Sequence, residues 1–329
     1  MKGNEIMTAL SRRSLLAGVA YAGGAAAVSL PAAELHAGTA HQAQAPGLYR
    51  LRVGAAVVTV LLDGYLDIAP EWWVHTTPEA LGTALEESFR PVDEPLRISV
   101  NAYIIQLGGR TIAVDAGADT LFGPTAGRYG QALQAAGIDP ASVDTVLMSH
   151  LHPDHVGGLI AGGRAAFANA AVKVAAPELA YWTDAGHRAA APDFARPWFD
   201  AVAETMRLYG DRVTTFRGEA AVAPGITAIP LPGHTPGHTG FVLESGGERL
   251  FLWGDVTDFL ALQLADPAAT LVFDIDKAEG ERSRRRAIEV AASERLMIGG
   301  AHVPFPSVGH IAGPAAQRRF LPATWQHVL

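Results

Sequence analysis

The 329-residue sequence contains no cysteine, which excludes disulfide staples, cysteine-ligated zinc and thiol nucleophiles together. It also lacks a long cationic run. The densest basic patch, Arg282 with Arg284, Arg285 and Arg286, shares a helix-like stretch with Glu279, Glu281 and Glu289 and reads as a solvated helix face. With a net charge of −8, the chain is not expected to bind nucleic acid. No composition shift marks an internal linker, and low-complexity sequence is confined to the first 45 residues. One folded domain spanning 46–329 is therefore expected, and 49% hydrophobic content is ample for its core.

What is present is concentrated in Ser149-His150-Leu151-His152-Pro153-Asp154-His155-Val156-Gly157-Gly158. The run before it, Val143 to Met148, is β-branched and apolar and reads as a short buried strand. His150 and His152 would leave its end as alternate residues of an extended segment, facing one point. Pro153 cannot continue a ladder and re-aims the backbone, so Asp154 and His155 can face a second point beside the first. Gly157-Gly158 allows the backbone to approach closely just beyond. Without cysteine, any metal must be held by histidine and carboxylate.

The N-terminus has its own pattern. Arg12-Arg13 precedes a mildly apolar, Ala/Gly-rich stretch through Leu30, then small residues without periodicity to about Pro46. This resembles a twin-arginine export signal; the stretch is short for a membrane anchor. Residues 1–45 carry a net of +1, so the remainder stands at −9. The expectation is a cleaved leader engaging export machinery and a periplasmic or secreted mature domain.

Two segments share one plan. Tyr103 to Asp115 and Phe241 to Asp255 are each two apolar strands joined at a Gly-Gly turn, with an aspartate ending the second strand. That repetition suggests a pseudo-duplicated pair of sheets. Earlier strands are expected at 51–53 and 56–62, later ones at 172–175, 226–229 and 296–298. Helices are expected at 78–89, 128–136, 177–184, 197–209 and 277–295. Such alternation predicts an α/β sandwich with helices on both outer faces.

The H-x-H-x-D-H arrangement resembles the signature of the metallo-β-lactamase superfamily of metal-dependent hydrolases, which implies an αββα sandwich of two mixed sheets. The resemblance implies His150, His152 and His234 on one divalent ion, Asp154, His155 and His302 on a second, and Asp255 bridging them. His234 is the first histidine of Gly233-His234-Thr235-Pro236-Gly237-His238, and His238 is expected to be structural. His302 follows the last apolar strand; His310, its rival, lies deeper in a Pro/Gly loop. Asp115 corresponds to an aspartate that orients a ligand imidazole, with an ordinary turn aspartate as the alternative. Asp255, Asp154 and Asp115 are thus the carboxylates expected to serve catalysis. Five imidazoles and two carboxylates suit Zn2+ first, with Mn2+, Fe2+ or Co2+ as alternatives, rather than the all-oxygen cages of calcium or magnesium. Redox di-iron relatives carry glutamate where His152 stands, which favours hydrolysis.

Two such ions about 3.5–4 Å apart can hold a bridging water and lower its pKa from about 15.7 towards neutrality, giving a hydroxide nucleophile. Asp115-Ala116-Gly117, Leu121 to Thr125, Pro304-Phe305-Pro306 and Gly309-His310-Ile311 further resemble methyl parathion hydrolase and its lactonase or arylesterase relatives. That likeness implies an aromatic pocket from Phe122, Trp182 and either Trp198 or Phe199, and a small neutral ester, lactone or phosphotriester as substrate. Quorum-type acyl-homoserine lactonases carry a tyrosine three residues after the bridging aspartate; Asp258 stands there, which counts against that substrate. Organophosphate hydrolysis as the main activity, a β-lactamase and a non-catalytic metal-binding protein are the alternatives, and a homodimer is left open.

Overall fold

A single Gly54 turn starts the fold, joining β1 (Leu48–Val53) to β2 (Ala56–Ile68). Gly54 has φ +55°, and a Cβ there would lie 2.0 Å from the carbonyl oxygen of Ser245, so only glycine fits. The computed structural model describes residues 44–119 and 121–329. The expected leader, residues 1–45, therefore lies almost wholly outside the described residues.

β3 (Leu96–Leu107), β4 (Arg110–Val114), β5 (Thr145–Leu147), β6 (Ala171–Ala175) and β7 (Val213–Phe216) complete the first sheet. The second holds β8 (Ala220–Ala223), β9 (Ile226–Pro230), β10 (Thr239–Ser245), β11 (Glu248–Leu252), β12 (Met297–Gly299), β13 (Val308–Ala312) and β14 (Arg319–Pro322). In each sheet the spatial order of strands equals their chain order. Each begins as a four-strand antiparallel meander and then turns parallel, at β4–β5 in one and β11–β12 in the other. A parallel pair needs a crossover, and helices supply it. The connection from β4 to β5 passes through α2 (Tyr129–Ala135), after α1 (Pro78–Glu87) has linked β2 to β3. α3 (Pro153–Val156) joins β5 to β6, and α4 (Ala176–Trp182), α5 (Ala185–Ala190) and α6 (Arg196–Tyr209) join β6 to β7. α7 (Leu260–Ala265) and α8 (Lys277–Ser293) lie between β11 and β12.

Successive residues of β3 face opposite ways, so Ile105 enters the core between the sheets with Val58, Phe241 and Leu250, while Ile104 faces out. The outward face is covered by Tyr129 and Leu133 of α2 and by Phe199 and Val202 of α6. Across the molecule, Phe251 and Ile298 meet Ala287, Ile288 and Ala291 of α8. Strands buried on both faces read as continuous apolar runs, and the layers are the expected αββα sandwich.

Some elements differ from expectation. The helix read to Asp184 stops at Trp182, and α5 begins at Ala185, where Asp184 caps it by accepting the His187 N–H at 2.7 Å. The Pro/Gly loop around His310 is strand β13. The basic run is only partly a solvated face: Arg282 and Arg285 pair with Glu279 and Glu281, whereas Arg284 is buried.

Candidate metal centre

Both Gly-Gly hairpins deliver their terminal aspartates to the same end of the sandwich. Asp115, just past β4, has φ +59°, a conformation that aspartate tolerates better than most residues. Its Oδ1 accepts the Ser149 N–H at 2.8 Å, and its Oδ2 accepts the Ser149 hydroxyl at 2.7 Å and lies 2.9 Å from His155 Nδ1. One carboxylate thus pins the strand end before the motif and the helix turn after it. Pro153 occupies the first turn of α3, and Gly157 and Gly158 let it press against the 116–118 loop, where added Cβ atoms would come within 2.2 and 1.9 Å of the Ala118 and Ala116 oxygens.

The motif and the later loops converge on two adjoining clusters, His150 with His152 and His234, and Asp154 with His155, Asp255 and His302, all buried. In the first, His150 Nε2, His152 Nδ1 and His234 Nε2 form a triangle with edges of 2.9–3.2 Å. Three ring nitrogens facing one another cannot all be satisfied by shared protons, but ligands of a tetrahedral zinc lie about 3.3 Å apart. In the second, Asp255 Oδ2 is 3.0 Å from His302 Nε2 and 3.2 Å from His155 Nε2, and Asp154 Oδ2 is 3.4 and 3.5 Å from the same two nitrogens. Asp255 Oδ2 also lies 3.3 Å from His234 and 3.5 Å from His150, so it touches both clusters. Asp255 Oδ1 and His155 Nε2 are buried without a hydrogen-bond partner. Unsatisfied polar atoms of this kind, buried within one cluster of ligand-type groups, fit a cation held among them.

The outer nitrogens of His150, His155, His234 and His302 are occupied. His234 Nδ1 donates to Asp274 at 2.6 Å, and His302 Nδ1 donates to the Ser99 carbonyl at 2.8 Å. His150 Nδ1 sits 3.1 Å from the Ser149 hydroxyl. These contacts fix the rings with a lone pair facing inward, the arrangement a metal requires. Burial opposes charge on His155, but Asp255, Asp154 and Asp115 together raise its pKa well above the usual histidine range. His152 is driven the other way, to about 3, by burial first and then by His234. His238 stands behind the cluster, where its Nδ1 donates to the Leu231 carbonyl and its Nε2 accepts the Asp255 N–H, both at 2.9 Å. Neither ring nitrogen is left for a metal. His310, on β13, donates from Nδ1 to the Leu296 carbonyl, apart from both clusters.

Three buried acids escaped the sequence reading. Glu178 accepts the Leu151 N–H and the Trp182 Nε1–H with Oε1, at 2.9 and 2.7 Å, and the Gly237 N–H with Oε2 at 2.9 Å. Asp274 holds His234 and is braced by Arg284 at 3.3 Å. Asp63 accepts three backbone N–H groups, from Ala118, Gly127 and Tyr129. In the sequence each is a lone acid with no periodic partner.

A cavity of about 530 Å³ opens above the clusters. Phe122 and Trp198 line it, together with Trp72, Phe194 and Phe273. Trp182 and Phe199 do not: each is 3% exposed, and their rings pack 4.6 Å apart behind His152. Of the paired candidates Trp198 and Phe199, the structure turns Trp198 to the cavity. No lysine or arginine occurs among the described residues lining it.

A two-sheet sandwich with this cluster at one end defines a class. The chain belongs to the metallo-β-lactamase superfamily, whose profile matches residues 96–312. The chain is 34% identical over 120 residues to the N-acyl homoserine lactonase AttM of Azorhizobium caulinodans, a match covering 34% of this chain and 40% of that protein. Its counterpart from Agrobacterium fabrum is 33% identical over the same length, so the chain spans well under half of these curated relatives. Among solved structures, the hydrolase AbOPH of the β-lactamase superfamily superposes with a TM-score of 0.80 at 28% identity, covering 86% of this chain and all of that one. AidC, a dizinc quorum-quenching lactonase solved with its N-hexanoyl-L-homoserine product, gives 0.78 at 21% identity over 86% of this chain and 99% of its own.

Proposed function

We propose that this metallo-β-lactamase-type hydrolase is dinuclear and opens small neutral lactones or esters, with aromatic ones favoured. The observation that carries the reading is the apolar, aromatic cavity ending on two adjoining His/Asp clusters, with no lysine or arginine among its described lining residues. Such walls offer burial to a ring and no lysine or arginine to a carboxylate held away from the clusters, which supports a neutral substrate. A β-lactam bearing a carboxylate would find no lysine or arginine in these walls. Acyl-homoserine lactones, the substrates in the curated relatives' names, are neutral and fall within the proposed class. Asp258 in the wall gives this cavity an acid at the position discussed above.

His150, His152 and His234 would hold one ion and Asp154, His155 and His302 the other, with Asp255 between them. Divalent ions so held supply activation of water and polarisation of the scissile carbonyl. Asp115, Asp274 and the Ser99 carbonyl keep the inner imidazole nitrogens deprotonated and aimed. Trp198 and Phe122 exclude bulk water and orient the substrate ring. Zinc is the proposed metal, with manganese, iron or cobalt as substitutes.

The test is metal-reconstituted protein assayed on dihydrocoumarin, an acyl-homoserine lactone, methyl parathion and nitrocefin. The expected outcome is the highest kcat/KM on a lactone. Preference for methyl parathion would make phosphotriester hydrolysis the main activity, and turnover of nitrocefin alone would make the protein a β-lactamase. Export by a twin-arginine leader belongs to the same proposal; Arg12→Lys with Arg13→Lys should retain the precursor in the cytoplasm, and normal periplasmic recovery would overturn that part.

A further inference from the structure

His302 follows a strand of the second sheet but is held from a strand of the first. Its ring donates from Nδ1 to the Ser99 carbonyl at 2.8 Å, and Ser99, Asn101 and Tyr103 are alternate residues of β3, so they share one face. That face carries polar groups where the neighbours Ile98, Val100, Ala102 and Ile104 are apolar and buried. The Tyr103 hydroxyl donates to the Gly300 carbonyl at 3.0 Å, and the Ser99 hydroxyl accepts the Phe305 N–H at 3.3 Å. Between them Asn101 lies buried in the middle of a strand, a place where asparagine is ordinarily depleted.

The geometry of its side chain accounts for it. The Asn101 NH2 group donates to the carbonyls of Ala301 and Val303, both at 2.8 Å, and so grips the two residues that flank His302. Its backbone N–H adds a third bond, of 2.9 Å, to the Ala301 carbonyl. An amide NH2 can meet two carbonyls at once, whereas an aspartate of the same shape only accepts and a leucine does neither. Asn101 Oδ1 is buried without a hydrogen-bond partner, so the side chain is committed through its NH2. Ser99 fixes the imidazole and Asn101 fixes the backbone that carries it, which together place Nε2 3.0 Å from Asp255 and 3.4 Å from Asp154. We propose that Asn101 is a positioning residue of the second cluster: it sets His302 where that cluster can hold its ion, and it acts on the chemistry only through His302. The proposal rests on the dinuclear reading above.

The test is zinc occupancy of the full chain at buffered free zinc, by equilibrium dialysis and metal analysis. Asn101→Leu keeps the backbone bond and the approximate shape but removes the NH2, and Asn101→Ala removes it without added bulk. Each should hold one ion where the wild type holds two, and should refill the second site only at about tenfold or more higher free zinc. The loss should be confined to one cluster. In a His152→Ala background, which leaves the second cluster complete, Asn101→Leu should weaken the remaining ion about tenfold or more. In a His302→Ala background, which leaves the first complete, it should change the remaining ion by less than about twofold. A residue that served only the fold would weaken both backgrounds alike; that result, or wild-type affinity in both single variants, would overturn the proposal. Failure of both variants to fold would overturn it as well, by making Asn101 a residue of the fold. Two ions retained in His302→Ala would overturn the ligand assignment, and the proposal with it, whatever the Asn101 variants do.

Discussion

Glu178 is a carboxylate with no exposed surface, and burial raises its pKa against the lowering effect of its hydrogen bonds. It survives there because it receives N–H donors from both loops that carry the first histidine cluster. Glu178→Gln must turn its amide NH2 towards one of those donors, a mispairing that costs about 1–3 kcal/mol. The expected outcome is a lower thermal midpoint together with selective loss of the ion at His150, His152 and His234, read by metal analysis after dialysis. Loss of stability with full metal content would make Glu178 a packing residue only. Direct ligand tests complement it: His152→Ala or His302→Ala should each lower bound metal by about one ion per chain and remove most activity, while His310→Ala should do neither. Two ions retained in His302→Ala would refute that assignment. The residues crowded into 150–155 were legible because neighbours in the chain are neighbours in the site. Glu178 and Asp274 were not, because the site segments they hold lie 27 to 59 and 40 positions away, and an acid in the first turn of a helix, as Glu178 is, ordinarily serves only the helix dipole.

At the scale of elements, the two Gly-Gly hairpins were readable because both glycines of each turn take positive φ and the strands on either side are apolar. Strands β13 and β14 escaped because Pro and Gly break their composition, while pairing, of β13 with β12 and of β14 with β13, rather than propensity makes them strands. The same limit governed the aromatics. Helical spacing says that Trp182, Trp198 and Phe199 lie on turns of α4 and α6, but not which of them faces the cavity. The structure puts Trp182 in the core, donating to Glu178, and Trp198 in the wall, 5.5 Å from the His152 ring. Trp182→Ala should therefore cost about 3–5 kcal/mol of stability, as a buried Trp-to-Ala cavity does. Trp198→Ala should leave the thermal midpoint nearly unchanged and raise KM for an aromatic lactone severalfold. Denaturant unfolding and steady-state kinetics on both variants separate these outcomes; a stable Trp182→Ala with raised KM would return Trp182 to the pocket.

At the scale of the whole molecule, the site ties the two halves of the sandwich together. His150, His152, Asp154 and His155 follow β5 of the first sheet, whereas His234, Asp255 and His302 follow β9, β11 and β12 of the second. An ion held across them binds the folded chain and not the unfolded one, and so stabilises the fold by mass action, by about 2.7 kcal/mol when free metal is a hundred times its dissociation constant. For a domain of this size about 2–4 °C of thermal midpoint accompanies each kcal/mol, so chelation should lower the midpoint by about 5–10 °C. Added zinc should restore it. The expected control is His152→Ala with His302→Ala, whose midpoint should respond little to chelator or zinc because its half-sites are incomplete. Calorimetry on wild type and double variant, with metal content measured in each sample, provides the check. A wild-type midpoint unmoved after its metal has been shown to leave would mean that the sheets hold together without the ions, and that the clusters serve chemistry but not the fold.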